Sequence, residues 1–374
     1  MPKSSKIIIA ILVVVIVGTG AYLVKKNKKL AVKQIDINGS TSADDNTPKN
    51  TGPVSPISGI SCADWNRRPF AVMQPSDAST RPLSGLSDAD MVVEMPAVYG
   101  SITRLMSVFV CGNPERIGSL RSARHDYIPI AAGLDAIYVH WGGSHFALDK
   151  LKEGVIDDMN CNNDGGHSAQ QYCYRETKEY LTQGKAFPDI PVKGDDTGYS
   201  KFSDLLAGAK NFGYDMTDHF SGYPHQDEAS ADQRPSGGSL VVGYPKPWDD
   251  VFNYDKNTNS FIRTWGGVID KDRNNGNNVA PKNIVVMIAQ GAQMESQYAN
   301  FQVGDPWYDD SDSGSATFYM NGKQTTGTWK KDKSNLSSKL TFYNQDGSEV
   351  KFVPGQIWVS IVDPGIGVHW TLGT

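Results

Sequence analysis

Between residues 60 and 363 short apolar runs alternate with turns rich in Gly, Asn and Pro, the rhythm of a chain built mostly from strands. Residues 70–73, 89–94, 103–110 and 136–140 read as strands, the middle two as apolar runs with β-branched residues, a composition that suits a pleated, half-buried surface. Residues 128–133 read as the end of a short helix. Residues 199–212 carry the helical period, with Phe202, Leu205, Leu206, Ala209 and Phe212 on one face. Strands interrupted by helices predict an α/β (α+β) domain over 61–235, in which the polar, Asn/Gly-rich stretch 157–194 reads as a loop insertion. After Ser239 the pattern changes to strands alone: 240–244, 251–254, 260–264, 283–289, 315–320, 325–330, 340–343 and 350–362. Residues 240–374 are therefore expected as a β-rich, mostly antiparallel domain. Asn321-Gly322 and Asp346-Gly347 lie between apolar runs and signal hairpins, because such turns need residues that accept positive φ. No internal repeat is visible.

The first sixty residues follow another rule. Residues 7–24 are apolar and uncharged, about 27 Å long as a helix at ~1.5 Å per residue, just enough to span a bilayer. No small-x-small cleavage site closes the run, so an uncleaved anchor is expected over a signal peptide. Residues 1–6 would be a cytoplasmic amino terminus and 25–60, rich in Ser, Thr, Asn, Pro and Gly in its second half, a flexible stalk. Lysines flank the run on both sides, so the positive-inside rule does not orient it. The cysteines do. Cys62, Cys111, Cys161 and Cys173 all follow the run and are even in number, which fits two disulfides and an oxidising, extracytoplasmic compartment. Cys161 with Cys173 and Cys62 with Cys111 is the expected pairing. A zinc site would call for close C-x-x-C spacing, which is absent.

Charge excludes more than it assigns. A net charge of −5 and the lack of a basic helix argue against nucleic acid as a partner. The densest chemistry lies in residues 117–126, Ile-Gly-Ser-Leu-Arg-Ser-Ala-Arg-His-Asp, between two apolar runs. Arg121 and Arg124, three apart in a turn, suit a bidentate oxyanion such as phosphate, pyrophosphate or carboxylate. The plainer alternative is a salt-bridged loop tied to Asp90, Glu94 or Asp126. The expectation is that Arg104, Arg121, Arg124 and His140 converge at strand ends, with Ser122 and Ser144 nearby and Asp90 or Glu94 at the edge.

Other clusters carry weaker signals. His140 and Ser144 could form a base and nucleophile, but a structural histidine bonded to a backbone carbonyl is the simpler reading. Gly142-Gly143 reads as a tight turn rather than an anion nest. Asp305, Asp309, Asp310 and Asp312 form an acidic loop without the spacing of an EF-hand. Asp90 and Glu94, four apart on a strand, would share a side; paired carboxylates serve glycoside hydrolysis, while salt bridges to Arg104 are the simpler role. No cofactor motif stands out and no metal site is assigned, although a divalent cation could accompany phosphoryl chemistry. Trp248, Trp265, Trp307, Trp329, Trp358 and Trp370 fall in the β-rich half, mostly as core, with one or two available to stack on sugar rings.

These residues carry a resemblance. Arg68-Pro-Phe-Ala-Val-Met73, Arg81-Pro-Leu-Ser-Gly-Leu-Ser-Asp-Ala-Asp90, Glu94, Ile102-Thr-Arg104, Arg121-Ser-Ala-Arg124 and Ala136-Ile-Tyr-Val-His-Trp-Gly-Gly-Ser144 resemble the YerB-like family. That is a bacterial envelope lipoprotein family built around a domain of unknown function. Tyr254, Arg263, Asn283-Ile-Val-Val286, Gly327-Thr-Trp-Lys-Lys331, Asp346-Gly347 and Pro354-Gly-Gln-Ile-Trp358 resemble its β-rich carboxy-terminal domain. The resemblance implies an extracytoplasmic body and no particular activity. The chain departs from the family twice: no cysteine closes the apolar run, and Val268-Ile269-Asp270 stands where the family often has His-x-Asp.

A looser likeness in motif order links Ser87-Asp-Ala-Asp90, Ile117-Gly-Ser-Leu-Arg-Ser-Ala-Arg124 and the Gly-Gly pair to LytR-CpsA-Psr phosphotransferases, with Arg121-Ser122 where those enzymes have Arg-Asp. Together these readings predict a single-pass cell-membrane protein whose body binds an anionic envelope ligand, a glycan or a prenyl-pyrophosphate-linked molecule, in wall assembly. A phosphotransferase or pyrophosphatase is the enzymatic alternative. A scaffold or regulator of wall-synthesis proteins, with no small-ligand site, is the third.

Overall fold

The computed structural model describes residues 52–98, 100–291 and 313–373. In chain order the first half supplies β1 (Phe70–Pro75), β2 (Met91–Pro96), β3 (Thr103–Phe109), β4 (Ile117–Gly118), β5 (Ile137–His140), β6 (Asp158–Asn160), β7 (Tyr174–Arg175) and β8 (Gly198–Ser200). Its helices are α1 (Ile128–Gly133), α2 (His145–Lys152), α3 (Lys178–Thr182) and α4 (Phe202–Asn211). The second half supplies β9 (Gly238–Val242), β10 (Asp250–Asp255), β11 (Ser260–Trp265), β12 (Val268–Ile269) and β13 (Asn283–Ile288). It continues with β14 (Ser313–Met320), β15 (Lys323–Lys330), β16 (Thr341–Asn344), β17 (Ile357–Val362) and β18 (Val368–Leu372). The class is mixed α/β, dominated by sheets.

Ten strands make one sheet in the order β16-β15-β14-β13-β17-β2-β3-β1-β5-β6. Here the structure departs from a plain antiparallel second half: β17 runs parallel to β13 on one side and to β2 on the other. Through that strand both halves of the chain share a sheet. Since β1 is also parallel to β5, and β5 to β6, the ends of β1, β2, β5, β6, β13 and β17 gather on a single rim. A second sheet, β12-β11-β10-β9-β18, and a small one, β4-β8-β7, complete the body. One face of the large sheet buries Met73, Met106, Val108 and Val359 with Ile128 and Ala131 of α1. The other buries Val72, Val92, Ile284 and Trp358 with Leu240 and Phe252 of the five-stranded sheet.

Both hairpin turns are present. Asn321 and Gly322 take φ of 53° and 68° between β14 and β15, and Gly347 takes 82°. Three expectations are corrected. Residues 157–194 are not a bare loop but contain β6, β7 and α3; Asp158 and Asn160 hid the strand because their buried polar groups are hydrogen-bonded. Tyr199 belongs to β8, and the helix begins at Phe202. The end of the expected stalk is part of the body, since Ile57 and Ser58 are fully buried and the Ser58 hydroxyl donates to Asp90 Oδ1 at 2.5 Å. The expected anchor, residues 7–24, lies outside the described residues; among those described, no helix is long and apolar enough to cross a membrane.

Disulfides join Cys62 to Cys111 and Cys161 to Cys173, and no described cysteine is free. Between the large sheet and the five-stranded sheet lies a buried charge network. Arg263 on β11 pairs with Asp250 at 2.6 Å, with Glu94 at 3.2 Å and with Asp270, and Arg81 reaches Asp270 at 2.8 Å. The guanidinium groups lie over Trp358 and Trp265. Burial pushes the Asp250 carboxyl well above the usual carboxylate range, against the pull of Arg263, and Glu94 adds to the push. With Asp250 protonated, as that direction favours, the group of two guanidiniums and three carboxyls is neutral.

Two measurements test this account. Replacing Cys161 and Cys173 by Ser opens a loop with a sequence separation of 12 and should lower the unfolding free energy by roughly 3 kcal/mol in urea titrations. Arg263→Met should cost about 3–5 kcal/mol, because it strands buried carboxylates. Asp250→Asn, which mimics the protonated acid, should stay within about 1 kcal/mol of the parent; equal losses for the two variants would refute a protonated Asp250.

Candidate functional site

The residues before α1 form the rim's central feature. The strands β1 and β5 separate at their ends, and residues 119–123 run between them. Arg121 N donates to Met73 O, Trp141 N to Arg121 O, and Ala123 N to Gly142 O. Gly142, at φ 64°, supplies the left-handed turn that returns the chain after β5. Arg104, the second residue of β3, lies opposite Pro75 of β1 and Met95 of β2. By alternation its side chain shares the face of Met106 and Val108, where α1 packs.

Arg104, Arg121 and Arg124 come together there, and their surroundings differ. Arg121 is held by carboxylates: Asp196 at 3.1 Å, Asp77 at 3.4 Å and Asp195 at 3.6 Å. Arg104 and Arg124 make no ion pair among the described residues, although both side chains are buried. Arg124 donates from Nη1 to Ala123 O, and its Nε has no acceptor. Arg104 has neither acceptor nor exposure at Nε and Nη1. Burial first, then the charges of Arg124 and Arg121, push the Arg104 guanidinium down to about 9, with Asp77 opposing. Burial likewise lowers Arg124. The neighbouring His125 ring is pushed down to about 4 by burial and by the positive charges of Lys150, Arg124 and His145. The rim thus carries excess positive charge in a site largely removed from water. Unsatisfied buried guanidinium N–H groups are costly, and an oxyanion would satisfy them.

The remaining expected site residues are placed differently. Ser122 is half-buried on the arginine turn. Ser144 caps α2, its hydroxyl accepting from Ala147 N at 3.2 Å. His140 belongs to a separate knot: its Nδ1 donates to Gly142 O at 2.7 Å and its Nε2 lies 3.2 Å from Asp158, which also meets His167 at 3.0 Å. The expected edge carboxylates are not at the arginines. Glu94 is opposite Leu105 in the ladder and Arg104 opposite Met95, so the two point to opposite faces, and Glu94 turns to Arg263. Asp90 precedes β2, at the far end from the rim, where it accepts from Ser58 and from the amides of Val110 and Cys111. Same-face alternation holds for residues four apart, but the rise of a strand carries them to opposite ends.

Asp77 and Asp196 do the work at the edge instead. Asp77 lies two residues past β1, which the strand pattern could have indicated; Asp196 lies just beyond the stretch 157–194 read as a loop and has no sequence signal. Among the described residues no group of three or more His, Cys, Asp or Glu is arranged to hold a metal ion. Trp265, Trp329 and Trp358 are core, and the acidic loop at 305–312 with Trp307 lies outside the described residues.

The depressed His125 group has a stability consequence. As pH falls from 6.5 towards 4, the unfolded chain binds a proton that folded His125 refuses, so stability falls across that window. The His125 share is at most roughly 3 kcal/mol. His125→Phe should flatten that part of the profile in urea titrations at several pH values; an unchanged slope would remove His125 from the account.

Two family models match the chain. The protein of unknown function (DUF3048) N-terminal domain matches residues 57–188, and its C-terminal domain matches residues 241–359. A relative named "Putative lipoprotein YerB", from Bacillus subtilis, is 29% identical over 315 residues, covering 82% of this chain and 86% of the relative. The crystal structure of the YerB protein from Bacillus subtilis matches with a TM-score of 0.67 at 26% identity, covering 85% of this chain and 99% of that one. The two models together span most of the body of the protein, and the chain belongs to the YerB-like DUF3048 family.

Proposed function

We propose that the arginine rim binds the anionic group of a cell-envelope ligand, a phosphate, pyrophosphate or carboxylate carried on a glycan or a prenyl lipid, in support of wall assembly. The observation that carries this reading is the pair Arg104 and Arg124: two buried guanidinium groups with N–H atoms unsatisfied and no carboxylate partner. Arg121, fixed by Asp77 and Asp196, positions the turn that presents Arg124. The envelope location draws support from the two disulfides, which fit an oxidising compartment, and from the lipoprotein name of the Bacillus relative. The body would stand outside the membrane, held to it by residues 7–24.

Thermal shift and calorimetry of the full chain with inorganic pyrophosphate, farnesyl pyrophosphate and muropeptides test the proposal, since a ligand bound only by the folded state raises its stability. Arg104→Met should weaken the bound anion by about 10- to 100-fold, from ~1.5–3 kcal/mol per charge-assisted hydrogen bond. It should also raise the melting temperature of the free protein, because it removes an uncompensated buried charge. Affinity should fall with added salt. A destabilised Arg104→Met protein that binds pyrophosphate as the parent does would mark Arg104 as structural.

A further inference from the structure

The arginine turn is held from two sides, and the two holds belong to different sheets. On one side stands β6 of the ten-stranded sheet. Its last residue, Asn160, is fully buried, and its Oδ1 accepts from Gly142 N at 2.9 Å. Gly142 O in turn accepts from Ala123 N at 2.8 Å, one residue before Arg124. On the other side stands the small sheet β4-β8-β7. Leu120 N donates to Gly198 O of β8 at 2.7 Å, and the residues leading into β8 include Asp195 and Asp196, which hold Arg121. Next to it β7 pairs Arg175 with Gly198 and lays the Arg175 guanidinium over the Trp141 ring, 4.2 Å from its centroid.

The Cys161–Cys173 disulfide joins these two holds. Cys161 follows Asn160 directly and donates from N to His140 O at 2.8 Å, while Cys173 directly precedes β7. The bond thus staples an end of the large sheet to an end of the small one, beside the turn that both of them grip. That turn is short and irregular, so its shape follows the spacing of its supports. Cys161 is 1% exposed but Cys173 is half-buried, which leaves the bond open to a thiolate from the Cys173 side.

We propose that this disulfide is a redox control on the arginine rim. Oxidised, it keeps Arg121 and Arg124 in the geometry that takes an anion; reduced, it releases the turn and weakens the anion. The proposal rests on the anion-binding reading of the rim. The reductant is a dithiol. One of its thiolates attacks Cys173 Sγ, forming a mixed disulfide and releasing Cys161 as the leaving thiolate. Its second thiolate then closes on the first sulfur and releases Cys173. Two electrons and two protons have passed from the dithiol to the protein, and both cysteines end as thiols. The coupling runs both ways: a bound anion makes the disulfide harder to reduce by the factor by which reduction weakens the anion.

The full chain carrying Cys62→Ser and Cys111→Ser retains the Cys161–Cys173 bond and serves as the test protein, with inorganic pyrophosphate as probe and dithiothreitol as the dithiol. Reduction should weaken pyrophosphate about tenfold in calorimetry, and reoxidation should restore it. Saturating pyrophosphate should lower the reduction potential of the disulfide by about 30 mV, which is that factor for a two-electron couple. Without any ligand, the amide resonances of Leu120 and Ala123 should move on reduction, while those of Val285 and Val359 in the middle of the large sheet stay. Cys161→Ser with Cys173→Ser in the otherwise unchanged chain should match the reduced protein, which keeps the test decisive if the first pair of substitutions does not fold. Equal affinity in the two redox states, or unmoved resonances at Leu120 and Ala123, would overturn the proposal. An oxidised chain that takes no pyrophosphate while those resonances move would strike the rim reading and uphold the hold of the disulfide on the turn.

Discussion

The ion network around Arg263 is the constraint on which the rest of this protein depends. A lone guanidinium between two sheets would be prohibitively desolvated, and three carboxyl groups there would repel one another. Together with Arg81, and with Asp250 protonated, they form a neutral unit, and that unit holds only if Glu94 of β2, Asp250 of β10 and Arg263 of β11 meet. Hydrophobic contact between the sheets tolerates sliding. The network does not, because each carboxyl has its own angle to the guanidinium. It therefore sets the register of the five-stranded sheet on the large one.

The same network explains why the arginine rim is electropositive. Glu94 is the carboxylate nearest to Arg104 in the ladder, yet it is committed to Arg263 on the opposite face. Asp90 is spent at the other end of β2, on Ser58 and two amides. With both removed, Arg104 and Arg124 keep only the distant opposition of Asp77 and Asp126. The imbalance is produced by where the strands place the acids, not by a shortage of acids.

Much of this was legible in the residue pattern. Strand runs, the helix at 202–211, the Asn321-Gly322 turn and the close Cys161–Cys173 pair follow from local rules, and once that pair is made an even count leaves Cys62 to Cys111. The gathering of Arg104, Arg121 and Arg124 was legible too, because strand ends concentrate polar residues. The face that each acid takes was not. It depends on register, and a single step moves a side chain to the other side of the sheet. Nor was β6, since Asp158 and Asn160 look like loop residues until their hydrogen bonds are seen. The role of β17 was hidden for a further reason: nothing local distinguishes a strand that pairs with β13 from one that also pairs with β2.

That strand has a consequence for how the chain comes to be folded. During synthesis β2 emerges long before β17, so until then β2 presents an open edge that neighbours can pair with. Pairing distant segments requires closing a long loop, and such contacts form slowly. The first half of the chain thus cannot complete its own sheet as it emerges; it waits for β17. A protein wired this way closes its large sheet in one late step, when β17 enters between β2 and β13.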